Sequence, residues 1–142
     1  MNGNDFVKFF LHTPLNGLLG DTLLINFKGR KTGKEYSTPV GYFREDGDLW
    51  VLSSRDRTWW RNLRGGAEVT LLMHGKTICA FAEAVMDEKE VEQRLINYVQ
   101  HIPISARSMG IRVESNNPNV EDVNRVAQEK LFVRIHPMGD LS

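Results

Sequence analysis

With 142 residues the chain has the size of one domain, 1–142, large enough to bury roughly two thirds of its surface on folding. Its 18 basic side chains balance 18 acidic ones, so no net field draws it to nucleic acid or an anionic membrane, and any anion must be recognised by a local cluster. The lone Cys79 excludes a disulfide framework and, with no Asn-X-Ser/Thr acceptor pattern, suits a soluble protein of a reducing cytoplasm.

Residues 4–12 read as a short amphipathic helix whose Phe6, Phe9 and Phe10 pack on the body of the protein or cover a ligand. Lys8, His12 and Pro14 interrupt it well before the length of a signal or spanning segment. From Thr22 to Gly29 the sequence alternates, with Leu23, Ile25 and Phe27 on one face of a half-buried strand. Gly29-Arg30-Lys31-Thr32-Gly33 then turns the chain into a second extended run over Glu35 to Phe43, a hairpin with a basic tip. Asp46-Gly47 predicts another hairpin into Leu49-Trp50-Val51-Leu52-Ser53.

Thr58 to Arg64, opened by a hydroxyl and closed by Gly65-Gly66, predicts a short helix carrying Trp59, Trp60 and Leu63. Strands follow over Val69 to Met73 and Lys76 to Met86, joined at His74-Gly75, and Asp87 caps a helix running through Val91, Leu95 and Tyr98. Beyond Pro103 the reading gives a helical turn over Ser105 to Met109 and a polar, mobile loop at 116–119. Val120 to Gln128 is amphipathic, and the alternation of Lys130 to His136 is that of a strand able to close a barrel. No repeat or linker interrupts these elements, which makes an α+β outline of about six strands and three or four short helices round one core.

Two clusters carry chemistry. Lys28, Arg30, Lys31 and Lys34 crowd the first hairpin tip, where glycines could free successive amides to face an anion. This is no Walker A loop, because three residues separate the glycines and Glu35 stands where a Ser or Thr should hold magnesium; the plainer alternative is a solvated tip whose lysines discourage edge pairing. Ser53-Ser54-Arg55-Asp56-Arg57 followed by Trp59 and Trp60 combines hydroxyls, guanidinium and indole, which suits a phosphorylated planar ring, the alternative being one core and one rim aromatic beside solvated arginines. His12, His74, His101 and His136 occur singly and no G-x-S-x-G is present, so neither a metal site nor a serine hydrolase is indicated; Cys79 reads as a small apolar strand residue.

In order and spacing, Gly29-Arg30-Lys31-Thr32-Gly33, Thr38-Pro39-Val40, Asp46-Gly47-Asp48, Ser53-Ser54-Arg55 and Trp59-x-x-Asn62-Leu63 resemble the deazaflavin-dependent nitroreductase family over roughly residues 20–86. The resemblance implies a split β-barrel of the FMN-binding type, related to the pyridoxamine phosphate oxidases. It implies the deazaflavin coenzyme F-420, with FMN as the alternative, and hydride transfer to a small-molecule acceptor such as a quinone, nitro compound or activated alkene. It implies that Arg30, Lys31, Thr32 and Gly33 lie near the cofactor phosphate, that Pro39, Val40, Ser53 and Ser54 flank the ring, that Arg55 contacts phosphate and that Trp59 forms an aromatic wall.

Two departures from the family pattern bear on phosphate affinity: Tyr36 replaces a frequent Arg, and the loop before Trp59 is shortened to Asp56-Arg57-Thr58, where Arg57 can restore some charge. Tyr36, Tyr42 and Tyr98 are candidate proton donors that no spacing separates, so the catalytic side chain is unassigned. An FMN-dependent reductase or oxidase and a non-catalytic cofactor binder are the competing readings. Barrel edges and the aromatics near Trp60 favour a homodimer.

Overall fold

The computed structural model describes residues 21–138; the helix expected at 4–12 lies outside them. Six strands form the body: β1 (Asp21–Lys28), β2 (Glu35–Glu45), β3 (Asp48–Ser54), β4 (Ala67–Met73), β5 (Lys76–Val85) and, late in the chain, β8 (Lys130–Pro137). They close into an antiparallel barrel in the order β1-β2-β3-β8-β5-β4. The alternation read from the sequence is what fills it, since Leu23, Ile25 and Phe27 of β1, Leu49 and Val51 of β3, and Val133 and Ile135 of β8 are all buried. The β2–β3 turn takes positive φ at both Asp46 (55°) and Gly47 (80°), the twist a two-residue hairpin requires.

A second apolar layer lies outside the barrel. Phe132, on the outward face of β8, is fully buried and meets Phe43, Trp50 and Tyr98 at centroid distances of 6.2, 6.4 and 6.1 Å. Helix α1 (Glu88–His101) covers it with Val91, Leu95, Tyr98 and Val99, and the Asp87 carboxylate caps that helix by accepting from the Glu90 amide at 3.1 Å. Helix α3 (Val120–Glu129) adds Val123, Val126 and Ala127 and is capped by Asn119.

Two expectations change. The segment from Thr58 is a single 3-10 turn, Trp59–Leu63, and Thr58 makes no side-chain cap. After Pro103 the helical turn expected over Ser105 to Met109 forms, as helix α2 (Ser105–Met109), but the stretch expected as a loop carries a two-residue ladder of β6 (Val113–Glu114) with β7 (Asn117–Pro118), whose turn residues Ser115 and Asn116 take positive φ. Trp60, expected among exposed aromatics, is 4 % exposed, its indole donating to the Ser54 carbonyl at 3.1 Å, so it offers no surface to a second copy. Cys79 is a strand residue of β5, exposed on its outward face.

The closure is short at two places: β1 and β4 pair over three residues, Leu24 to Asn26 with Thr70 to Leu72, and a second gap lies between β2 and β3. β2 and β3 pair over three residues only, Phe43 with Trp50, Arg44 with Leu49 and Glu45 with Asp48. Beyond them β2 continues on β1 and β3 on β8, so the two strands part. Pro39, which has no N–H for a ladder, sits in the unpaired stretch of β2, where such a residue is tolerated.

Candidate functional site

A cavity of about 390 Å³ occupies that gap, within the range of small-molecule sites. One wall is Thr38 to Phe43 of β2, the other Trp50 and Leu52 to Ser54 of β3; α2 contributes Ser105, Ser108 and Met109, α1 contributes Tyr98, and Arg57, Trp59 and Lys130 complete the lining. Of the residues expected to touch a cofactor, Pro39, Val40, Ser53, Ser54 and Trp59 are brought together here. The Trp59 indole donates to the Ser53 hydroxyl at 3.2 Å and its ring lies 6.1 Å from Phe27, which fixes its plane against the barrel end.

Arg30, Lys31, Thr32 and Gly33 do not line the cavity. Some of their loop's amides are engaged: the Gly29 amide donates to the Lys34 carbonyl, Gly33 to the Gly29 carbonyl, Lys34 to the Thr32 hydroxyl, and Arg30 to the Asn62 side chain at 3.0 Å. The loop is instead a brace. Asn62 accepts from Arg30 and donates to the Trp59 carbonyl at 3.0 Å, so the tip and the 3-10 turn hold the cavity-facing indole between them.

Arg55 is not among the lining residues, and its guanidinium is engaged by backbone carbonyls. Nε donates to the carbonyls of Ala127 (3.3 Å) and Lys130 (2.9 Å), and one terminal nitrogen to those of Met86 (2.8 Å) and Ala127 (3.0 Å). Carbonyls at the end of α3 have no intrahelical donor, and a guanidinium that forks across them satisfies that demand. Arg55 therefore ties β3, β5, α3 and β8 together.

Sequence reasoning did not place Lys130, Ser105, Ser108 and Met109 at the cavity, and it named Tyr98 as one of three candidate proton donors and Arg57 as a compensating charge without placing either there. Lys130 arrives through the β3–β8 register, opposite Ser54, and its Nζ donates to the Ser54 hydroxyl at 2.7 Å. The three tyrosines also separate. Tyr36 is exposed, stacked on Phe27 and near the Thr32 hydroxyl; the Tyr42 hydroxyl lies 3.4 Å from His74 Nε2. Tyr98, 3 % exposed, lines the cavity, and its hydroxyl has no hydrogen-bond partner among the described residues. Burial pushes its phenol up to about 12, so it stays protonated near neutral pH and keeps a proton to donate in a hydrogen bond.

A family model described as F420H(2)-dependent quinone reductase matches residues 11–114, well over half of the chain. The chain belongs to the F420H(2)-dependent quinone reductase family. It is accordingly an oxidoreductase that depends on the deazaflavin coenzyme F-420, and the expected kinship and fold class are both established. No curated protein matches the sequence.

Among solved structures, the chain is similar to the heme storage protein HutZ from Vibrio cholerae, at 16 % identity and a TM-score of 0.57, over 99 % of this chain and 93 % of that one. It is similar to the general stress FMN/FAD binding protein from Xanthomonas citri, at 15 % identity and a TM-score of 0.53, over 83 % and 75 % of the two chains. A putative pyridoxamine 5'-phosphate oxidase from Listeria innocua matches at 12 % identity and a TM-score of 0.51, over 83 % of each chain. At such identities these likenesses concern the fold.

The residues of the cavity fit a deazaflavin. Val40, Trp50, Leu52 and Met109 provide apolar surface for a ring, Tyr98 and the serines provide polar points, and Arg57 and Lys130 provide positive charge; no carboxylate is among the lining residues. No helix among the described residues is long and apolar enough to cross a membrane. Among the same residues no group of three or more His, Cys, Asp or Glu side chains is placed to hold a metal ion.

Proposed function

We propose that this reductase binds its deazaflavin in the gap between β2 and β3 and there reduces a quinone, an activated alkene or a nitro compound. The observation that supports this reading is the composition of the gap: an apolar slot in a strand-to-strand opening, walled by Trp59 and bordered by unpaired cations. Bound coenzyme supplies a hydride. The protein's own residues align, desolvate and stabilise.

Pro39, Val40, Ser53, Ser54 and Trp59 are the ring-facing set in this reading, with the Arg30–Gly33 loop acting on them through Asn62. Apolar walls exclude water and so strengthen each remaining polar contact. As negative charge develops on the oxygen of an acceptor, the Tyr98 hydroxyl, neutral and without another partner, donates a hydrogen bond to it. The proton that completes the reduction comes from solvent at the exposed Ser108 and Arg57 side of the cavity.

The test is a fluorescence titration with coenzyme F-420 and, in parallel, FMN, read through Trp59. Quenching by the deazaflavin at low concentration supports the reading. FMN binding without deazaflavin binding would move the protein to the flavin alternative, and the absence of quenching by both would remove the ring site.

A further inference from the structure

We infer that Arg125, oriented by Asp122, is a positioning residue of this reductase: it clamps the C-terminal end of α2 to α3 and so sets the space that α2 leaves for an acceptor in the cavity. The inference rests on the reading that the cavity takes the ring and the acceptor. Its starting point is how little else holds α2. The helix is the five residues Ser105–Met109, far short of the roughly 12–15 at which an isolated helix becomes even marginally stable. Of these, Ser105 and Ala106 are buried, while Ser105, Ser108 and Met109 line the cavity.

Each end of α2 is anchored to a different helix. Its start is tied back to α1, because the Ile102 amide donates to the Tyr98 carbonyl at 2.8 Å, and the Ser105 amide and hydroxyl donate to the Ile102 carbonyl at 2.9 and 2.6 Å. Its end is tied to α3. The chain leaves the helix through Gly110 at φ 70°, and the carbonyls of Met109 and Gly110 accept from one terminal nitrogen of Arg125 at 3.4 and 2.8 Å. Carbonyls at a helix C-terminus have no intrahelical donor, so a guanidinium from a neighbouring helix supplies what they lack. The other terminal nitrogen of Arg125 donates to Asp122 at 3.3 Å, which fixes the direction of the fork.

Asp122, 5 % exposed, holds the same exit a second time, accepting from the Arg112 amide at 2.9 Å and from Arg112 Nε at 2.8 Å. One buried carboxylate thus restrains the chain on both sides of Ile111, directly through Arg112 and indirectly through Arg125. The fit is close at Gly110, where a Cβ would stand 3.2 Å from the Arg125 terminal nitrogen on a backbone that favours glycine. Neither Arg125 nor Asp122 lines the cavity, so both act on it through α2. They lie beyond residues 11–114, and the family match says nothing about them.

The experiment measures F-420-dependent reduction of a one-ring benzoquinone and a two-ring naphthoquinone by the full chain and by Arg125→Met, Asp122→Asn, the double variant and Arg107→Met, the last an exposed position of α2 outside the clamp. The readout is the ratio of kcat/KM for the two quinones, because unfolded or coenzyme-free molecules drop out of it and a merely structural loss leaves it unmoved. A wall free to move back admits the larger ring, so Arg125→Met is expected to shift the ratio about three- to tenfold towards the naphthoquinone. Asp122→Asn shifts it in the same direction, and the double variant goes no further than the larger single, as residues acting through one contact require. Acrylamide quenching of the cavity tryptophans Trp50 and Trp59 in the coenzyme-free protein rises in Arg125→Met, and Arg107→Met leaves both measurements at wild type. The same shift in Arg107→Met, or singles that multiply in the double variant, overturns the inference. A ratio in Arg125→Met within about twofold of wild type overturns it as well, and acrylamide then says which part failed. If quenching rises while the ratio stays, α2 is clamped but acceptors do not enter beside it, and the cavity reading falls; if both stay, the clamp itself falls.

Discussion

Replacing Arg55 by alanine tests whether this side chain is part of the fold or part of the ligand site. Its guanidinium makes four hydrogen bonds of 2.8–3.3 Å to the carbonyls of Met86, Ala127 and Lys130. Hydrogen bonds from a charged donor contribute roughly 1.5–3 kcal/mol each, but bonds that share one donor group do not add, and water can reach half-buried carbonyls once the side chain is gone. The expected loss is about 3–4 kcal/mol, or roughly 6–15 °C in Tm for a domain of this size. Urea unfolding followed by Trp fluorescence should show a lower midpoint at unchanged slope. Arg55→Lys should recover only part of the loss, because an ammonium cannot fork across three carbonyls. A wild-type midpoint in Arg55→Ala together with lost coenzyme affinity would refute the reasoning and put the guanidinium on the ligand.

Tyr98→Phe should lower kcat by roughly 100-fold while the coenzyme Kd from quenching stays within about threefold; a matching loss of Kd would mean that the hydroxyl serves the cofactor instead of the acceptor. The same phenol titrates near 12 in the folded protein against 10 in an unfolded chain. Its contribution to stability is therefore complete below pH 10 and is lost as pH rises to about 12, by up to about 2 kcal/mol, and the Phe variant should show a shallower alkaline decline. At the acid end, hydrogen bonds from Arg112 hold Asp122 down to about 2 from 3.8, so stability present above pH 3.8 is lost as pH falls towards 2. Asp122→Asn should flatten that part of an acid denaturation profile. An unaltered profile would mean that the ion pair adds nothing to folding.

Local grammar made most of the fold legible. Alternation over Thr22 to Phe27, the Asp46-Gly47 turn and the Asp87 cap each depend on residues within a few positions of one another, and each forms as the local physics requires. Site chemistry was legible only where it was local too. Ser53 with Trp59 are six apart and meet; Arg55 with Lys130 are 75 apart, and nothing near Arg55 in sequence says that three carbonyls will enclose it. The hairpin tip is harder to read. Its glycines free the backbone to turn, and the loop and Asn62 engage the amides of Gly29, Arg30, Gly33 and Lys34, so glycine content alone does not separate an anion cradle from a tight turn.

The cavity lies where the pairing of β2 with β3 stops. An unpaired strand edge carries unsatisfied backbone groups and invites pairing with another chain, so it needs a cover. Along Thr38 to Tyr42 that cover is α2 together with the Tyr98 end of α1, held off the strands far enough to leave a slot instead of a packed interface. Pro39 lacks an N–H and Gly41 lacks a Cβ, so this edge offers fewer donors to a foreign strand and less bulk to a flat ligand. Meanwhile the register of β8 on β3 brings Lys130 to Ser54 at one end of the slot, and the aromatic layer on Phe132 holds Tyr98 within the same lining. Apolar surface, a half-buried ammonium and a buried phenol thus reach one lining from three separate parts of the architecture: the β2–β3 gap, the β3–β8 register and the helix packed on Phe132.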